Sequence, residues 1–142
     1  MPQLSQQVFI DTSLFVSFVD RGDLNHNKTA KIFEYLGKYN FHVYTSNLVI
    51  IQVFNRLEKD LGTLISHDFL KTLLQSNIEI LHPSEAEFSA AYRFLKINPQ
   101  QQVSLVDILN ARLMEKHNVP AILTFDYWHN LMGITVSRLI NP

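Results

Sequence analysis

The segment Val8-Phe9-Ile10-Asp11-Thr12-Ser13 decides the fold. Its first three residues are apolar, with a β-branched side chain at each end, and short runs of this kind are typical of buried strands. The run stops at three polar residues, which can begin a helix. The segment therefore predicts a buried strand that leads directly into a helix.

The same change from strand to helix recurs along the chain, with no repeat and no linker that would divide it. Further strands are predicted at residues 41–44, 78–81, 121–124 and 134–136, and helices at residues 25–38, 45–60, 66–75, 83–96 and 104–117. Alternating strands and helices of this length are typical of a parallel sheet with helices on both faces. We expect one three-layer α/β domain over residues 1–142, with ligands bound beyond the carboxyl ends of the strands.

Hydroxyl side chains mark the starts of three of these helices. The pair Thr45-Ser46 supplies an N-cap for the third helix, and Ser104 supplies one for the last. Ser84 and Glu87 stand three residues apart, which is the spacing of a capping box.

The composition is that of a packed globular domain, because 46% of the residues are hydrophobic and 18% are charged. The chain has no cysteine, which excludes disulfides and zinc–thiolate sites. Its longest apolar run, Leu48–Ile51, is far shorter than the roughly 20 residues of a membrane span, so we expect no membrane partner. Residues 1–7 lack the basic start of a secretory signal, and we expect a cytoplasmic protein.

The charge balance sets a condition on binding to nucleic acid. With 12 Lys and Arg against 13 Asp and Glu, the net charge is −1, whereas binding to any nucleic-acid sequence usually needs a basic excess. RNA would therefore need a local basic patch. The candidates for a phosphate-binding rim are Arg21, Lys28, Lys31, Arg56 and Arg112, although each one alone fits an ordinary solvated face.

Three aspartates occupy positions where a parallel sheet brings side chains together. Asp11 ends the first strand, Asp126 follows the strand at residues 121–124, and Asp107 lies in the first turn of the last helix. The three carboxylates converge if those two strands are neighbours. Because like charges repel, such a cluster favours a divalent cation with hard oxygen ligands, such as Mg²⁺ or Mn²⁺.

Each aspartate also has a simpler interpretation. Asp11 fits a helix N-cap, Asp107 fits the favoured negative charge at a helix N-terminus, and Asp126 fits a turn. These alternatives stay open for each residue alone. The presence of all three at one predicted sheet edge favours a shared site.

At these positions the sequence resembles a PIN domain, and within that family the VapC-type toxins of bacterial toxin–antitoxin pairs. The resemblance covers nearly the whole chain. Its motifs are the opening strand with its Asp-Thr-Ser signature, the loop and helix that follow, the second strand–helix junction and two acidic motifs near the C-terminus, at Phe9–Ser13, Asp23–Ala30, Thr45–Val49, Ser104–Ala111 and Ile122–Asp126.

The resemblance implies a Rossmann-like sheet and a Mg²⁺- or Mn²⁺-dependent endonuclease that cleaves RNA. Carried over by position, Asp11, Asp107 and Asp126 would bind the metal, and Thr12 or Ser13 would orient them or contact a phosphate. Arg56 and Asn110 are further candidates for positioning the substrate. The family also implies a homodimer and a small protein antitoxin, a segment of which lies across the active-site groove.

Two departures from the family pattern affect the site. Gln52 stands where the family usually has a glutamate in the helix after the second strand. An amide oxygen still ligates a metal, but it accepts no proton and removes one negative charge, so metal affinity should fall. The second departure is Tyr127-Trp128-His129 after the last acidic motif, and His129 is the histidine best placed to reach the site.

Two other functions remain open. If Gln52 marks a loss of catalysis, the domain is a module that binds RNA or a protein. A metal-dependent phosphatase on a similar sheet is the other alternative. The sequence has no phosphate-binding glycine loop and no serine-hydrolase motif, so nucleotide binding through a P-loop and serine chemistry have no support.

Overall fold

Strands and helices alternate as the sequence predicts. A computed structural model describes residues 6–100, 103–126 and 137–138. Its elements are β1 (Gln7–Ile10), α1 (Thr12–Val19), α2 (His26–Lys38), β2 (His42–Ser46), α3 (Asn47–Leu61), α4 (Thr63–Leu74), β3 (Glu79–Leu81), α5 (Glu85–Ile97), α6 (Leu105–Lys116), β4 (Ala121–Leu123) and β5 (Ser137–Arg138). None of the helices in these ranges has the length and apolar character that a bilayer span requires.

The strands form one parallel sheet in the order β3-β2-β1-β4-β5. The central strand β1 pairs with β2 on one side and with β4 on the other, where Ile10 is opposite Leu123. The carboxyl ends of β1 and β4 are therefore adjacent. This arrangement confirms the parallel α/β sheet flanked by helices. The strand predicted at residues 134–136 lies outside the described residues.

The opening segment is the centre of the core. Val8, Phe9 and Ile10 have no exposed surface, because strands of a parallel sheet are covered on both faces. A large apolar cluster joins the strands to buried side chains of α1, α2, α3 and α4. A smaller cluster joins Ala91 of α5 to Ile108 and Leu109 of α6. Burial on this scale fixes the ends of β1 and β4 relative to each other.

Hydroxyl side chains begin the helices as predicted. The Ser46 hydroxyl accepts the Val49 N–H at 3.2 Å, and the Ser104 hydroxyl accepts the Asp107 N–H at 3.0 Å. Ser84 and Glu87 form the predicted capping box. The Glu87 carboxylate also pairs with Lys116 at 3.0 Å, which ties α5 to α6.

Several element boundaries differ from the sequence prediction by one to three residues, and two of these differences have a visible cause. Helix α4 begins at Thr63 instead of residue 66, because Gly62 adopts a φ of 94° and turns the chain sharply after α3. Strand β2 extends to Ser46 instead of residue 44, because Thr45 and Ser46 still pair with β3.

One buried hydrogen bond fixes the end of β1. The Thr45 hydroxyl donates to the Ile10 carbonyl oxygen at 2.9 Å. On the other side of β1, the Asp11 N–H donates to the Leu123 carbonyl oxygen at 3.1 Å, so the ladder to β4 continues past the strand. The backbone that carries Asp11 is therefore held from both neighbouring strands.

Candidate metal centre

A cavity of about 580 Å³ opens at the carboxyl ends of β1 and β4. It contains all three aspartates singled out in the sequence, together with Thr12 and a stretch of α3. Its lining residues are Asp11, Thr12, Gln52, Asn55, Arg56, Lys59, Asp60, Asp107 and Asp126. Segments far apart in the chain thus meet at the sheet edge where a parallel α/β fold binds its ligands.

Asp11 is the most buried of the three, with 5% of its surface exposed. It occupies the N-cap position of α1, yet its side chain makes no capping hydrogen bond, so the simple capping interpretation does not describe it. Burial raises the pKa of its carboxyl above the ordinary 3.8, and the charges of Asp107 and Asp126 raise it further. Hydrogen bonds from the Thr12 backbone and the Thr124 side chain oppose that rise in pKa.

Thr124 is a residue that the sequence analysis did not identify. Its hydroxyl donates to the Asp11 carboxylate at 2.9 Å and accepts the Asp126 N–H at 3.0 Å. One buried side chain therefore orients one aspartate and fixes the turn that carries another. The signal for the turn was present as a threonine two residues before Asp126, but the bond to Asp11 depends on the pairing of β1 with β4.

Asp107 lies both at the start of a helix and at the cavity. Its backbone N–H is capped by Ser104, and its carboxyl lines the cavity. Burial raises the pKa of this carboxyl, hydrogen bonds with Ser104 oppose the rise, and the charge of Asp126 adds to it. Asp126 likewise sits in a turn and also lines the cavity.

Gln52 reaches the cavity from α3. The Thr12 hydroxyl donates to its side-chain carbonyl oxygen at 2.8 Å. The opposite face of α3 buries Val49, Ile50 and Val53 against the core, so the polar face is held toward the site. The position aligned with the family's glutamate therefore lies beside Asp11, Asp107 and Asp126 and is bound to Thr12.

Sequence analysis also missed three other residues of α3 that line the cavity, namely Asn55, Lys59 and Asp60. Counted from Gln52, they follow at three, seven and eight residues, and spacings of three, four and seven define one helix face. The spacing was visible in the sequence, but which face of α3 looks into a cavity depends on how the helix packs.

Only Arg56 of the five basic candidates for the rim lines the cavity. Arg112 does not, because five residues after Asp107 it is turned to another side of α6, where it pairs with Glu115 at 3.3 Å. Lys28 lies 5.9 Å from the centre of the Phe125 ring, next to Asp126 in the chain. Arg21 and Lys31 are exposed and do not line the cavity.

Two of the residues considered for positioning the substrate have structural contacts instead. Ser13 is outside the cavity lining, and its hydroxyl accepts the Phe125 N–H at 3.0 Å, which joins α1 to the end of β4. Asn110 has no exposed surface, and its side-chain oxygen accepts the Ser46 hydroxyl at 2.7 Å. Direct contact of Asn110 with a substrate does not fit this position. His129 lies outside the described residues.

The oxygen-rich lining fits a hard divalent cation. Asp11, Asp107, Asp126 and the Gln52 carbonyl are ligands of the kind that Mg²⁺ and Mn²⁺ take, and a cation would offset the burial, and the smaller effect of neighbouring charges, that raise the pKa of Asp11 and of Asp107. Within the described ranges, however, no group of three or more His, Asp and Glu side chains is placed so that it could hold a metal ion. An open site of this kind suits an ion that keeps several waters and uses one or two protein carboxylates.

We predict that Thr124→Val lowers the free energy of unfolding by about 2 kcal/mol at pH 7, measured by urea denaturation in EDTA, because the ionised Asp11 carboxylate loses a buried donor. The cost should shrink near pH 4. The Asp11 pKa is raised, so the folded protein takes up the proton first as pH falls, and a neutral carboxyl needs the donor less. Thr72→Val, on the exposed surface of α4, is the control. An equal cost at both pH values would contradict this account of Asp11.

Comparisons with known proteins agree with this architecture. The model of the PIN domain family matches residues 8–130, whereas a comparison with curated proteins gives no match. Among solved structures, VapC20 of Mycobacterium tuberculosis, described as a Sarcin-Ricin loop cleaving toxin, has a TM-score of 0.75 and 21% identity, over 84% of this chain and 89% of that chain.

Two further structures share the fold. VapBC2 from Rickettsia felis, bound to a DNA fragment from their promoter, has a TM-score of 0.69 and 15% identity, over 93% of this chain and 98% of that chain. FitAcB from Neisseria gonorrhoeae has a TM-score of 0.64 and 16% identity, over 92% and 95%. At these identities the likeness concerns the fold. Since the family model spans most of the sequence, the chain belongs to the PIN-domain family.

Proposed function

We propose that this protein is a metal-dependent RNA endonuclease of the VapC toxin type, in which Asp11, Asp107 and Asp126 hold Mg²⁺ or Mn²⁺. The observation that carries the proposal is the meeting of three carboxylates from separate segments in one cavity of a PIN-domain fold. Support for a nuclease comes from the similar structure described as a Sarcin-Ricin loop cleaving toxin and from the motifs shared with VapC-type proteins.

The chemistry follows from the side chains that line the cavity. When bound, a divalent cation supplies an activated water and offsets the charge on the attacked phosphate. Asp11 is held in one orientation by Thr124, and α6 presents Asp107 from its first turn. Asp126 stands at the exposed side of the cavity, where a substrate enters. These carboxylates would hold the ion at the end of the cavity that a phosphodiester would reach, and the ion would supply the nucleophilic water there.

Cleavage of RNA should depend on Asp11. We predict that Asp11→Asn lowers the rate of Mn²⁺-dependent cleavage of single-stranded RNA by roughly 100-fold or more, because charge stabilisation by a metal contributes several kcal/mol. Gel analysis of a labelled RNA measures the rate. Asp68→Asn, on the exposed face of α4, makes the same chemical change away from the cavity and should leave the rate unchanged.

The same pair of variants tests the alternative of a phosphatase. A phosphomonoester should remain intact under conditions in which the RNA is cut. Hydrolysis of the phosphomonoester that is lost in Asp11→Asn, with the RNA untouched, would replace the nuclease proposal with a phosphatase.

Gln52 is the observation that favours a second function, a PIN-fold module that binds RNA or protein without cleaving. Its carbonyl oxygen accepts the Thr12 hydroxyl, and the residue brings no negative charge to the cavity. The cavity therefore has one carboxylate fewer than the family pattern. Weaker retention of metal is the expected consequence, because each ligand charge contributes to the affinity for a divalent ion.

We predict that Gln52→Glu tightens Mn²⁺ binding about tenfold, equivalent to about 1.4 kcal/mol, and raises cleavage most at low Mg²⁺. Calorimetry measures the first effect and the RNA assay the second. Stability without metal should fall slightly, since a carboxylate added beside Asp11, Asp107 and Asp126 increases their repulsion. Gln75→Glu, beyond the end of α4, is the charge-matched control.

Three results of that substitution are distinguishable. Tighter metal binding with faster cleavage supports an attenuated nuclease. An active protein that Gln52→Glu leaves unchanged would place Gln52 outside the reach of the metal. Binding of RNA by two inactive proteins would favour the binding module.

A toxin-type nuclease also requires an inhibitor and, by the family pattern, forms a homodimer. We predict that expression of this chain alone slows bacterial growth, and that co-expression of a small protein encoded beside it restores growth by covering the cavity. Asp11→Asn should be harmless without the partner. Unimpaired growth with soluble, intact protein would weigh against the toxin role.

A further inference from the structure

The cavity has two electrically different ends. Asp11, Asp107 and Asp126 form the acidic end beside the sheet. Asn55, Arg56, Lys59 and Asp60 lie further along α3 and form what we call the basic end, where two cations face one carboxylate. This polarity is not explained by metal binding, since cations repel a metal ion.

The two cations of the basic end differ in their partners. Arg56 Nε lies 3.7 Å from Asp60 Oδ2, and more than half of the Arg56 side chain is exposed. Lys59 has no carboxylate within ion-pair distance among residues 6–100, 103–126 and 137–138. Lys59 is thus a cation that lines a cavity and that no described residue neutralises, and Asn55 adds an amide donor one turn earlier on the same face.

The length of the stripe suits a nucleic-acid backbone. Gln52 and Arg56 are four residues apart, and Gln52 and Lys59 are seven apart, which correspond to about 6 Å and about 10 Å along the helix axis. The shorter of these distances is of the order that separates neighbouring phosphates in an extended single strand, and the long flexible side chain of Lys59 covers the remaining axial distance. A phosphate at the acidic end therefore places the next one within reach of Asn55 and Lys59.

Charge balance gives the basic end a necessary role. The chain as a whole has a net charge of −1, and the acidic end repels an RNA backbone. Beyond the proposed metal ion, attraction must come from local cations of the protein. The volume of about 580 Å³ is that of a small-ligand site, so the cavity has room for one or two nucleotides of a single strand.

We propose that Asn55 and Lys59 form a subsite for the phosphate next to the scissile phosphate of single-stranded RNA. This inference rests on the proposed nuclease function and adds the residues that bind the flanking backbone. Lys59 supplies the charge, Asn55 donates a hydrogen bond, and Arg56, held by Asp60, borders the subsite.

Binding of intact RNA tests the subsite separately from cleavage. The full chain carrying Asp11→Asn binds a labelled single-stranded RNA, and fluorescence anisotropy in Mg²⁺ gives Kd at several salt concentrations. Adding Lys59→Gln should weaken binding about tenfold, as expected for the loss of one charge-assisted contact. The slope of log K against log salt should fall by about 0.7, the value for one phosphate contact with a single strand. Lys96→Gln, on the exposed end of α5, removes the same charge elsewhere and should change neither quantity.

Neutral methylphosphonate linkages, introduced one at a time, locate the contact. A neutral linkage next to the cleavage position should weaken RNA binding by the Asp11→Asn protein that retains Lys59. The same linkage should leave the Kd unchanged in the protein that also carries Lys59→Gln. Equal effects of Lys59→Gln and Lys96→Gln would overturn the subsite, as would a sensitive linkage that is remote from the cleavage position.

The outcome separates this inference from the function on which it rests. Cleavage by the wild type together with normal binding by Lys59→Gln overturns the subsite and leaves the nuclease standing. A Lys59-dependent contact in a wild type that never cleaves keeps the phosphate contact and overturns the nuclease.

Discussion

The hydrogen bond from Thr124 to Asp11 joins the two strands on which the site is built. It places a donor against a carboxylate that has lost most of its water, and it does so only because β1 and β4 are neighbours in the sheet. The buried run Val8–Ile10 fixes that neighbourhood through the core. Apolar burial therefore holds together three carboxylates that repel one another.

Much of this arrangement was predictable from local patterns. Asp11 follows a short apolar run, and Asp107 follows the helix-capping Ser104, so each was assigned to a strand end or a helix start without reference to the rest of the chain. The parallel sheet followed from the alternation of strands with helices. Whether the aspartates converge depends on the order of the strands in the sheet, because only neighbouring strands bring their ends together. Non-local packing decides that order, and the structure gives it.

The parts that sequence did not predict depend on such non-local packing. In the sequence, Thr124 looks like any threonine at the end of a strand, and only the fold shows that it contacts Asp11. Asn110 likewise looks like a surface asparagine, and only the fold shows its hydrogen bond with Ser46. Lys59 lies on the same face of α3 as Gln52. Residues on a helix face have the same spacing in the sequence whether that face contacts solvent or lines a cavity. Local patterns thus identified the three aspartates that line the cavity more completely than the residues that support them or extend the cavity.

The central claim is that Asp11, Asp107 and Asp126 bind one shared divalent ion, and crystals soaked in Mn²⁺ test it most directly. Anomalous scattering should show a peak in the cavity, within coordination distance of the Asp11 carboxylate and of at least one of the other two. The peak should vanish in Asp11→Asn crystals treated in the same way. A cavity without a peak at saturating Mn²⁺, or a peak unaffected by Asp11→Asn, would contradict the account.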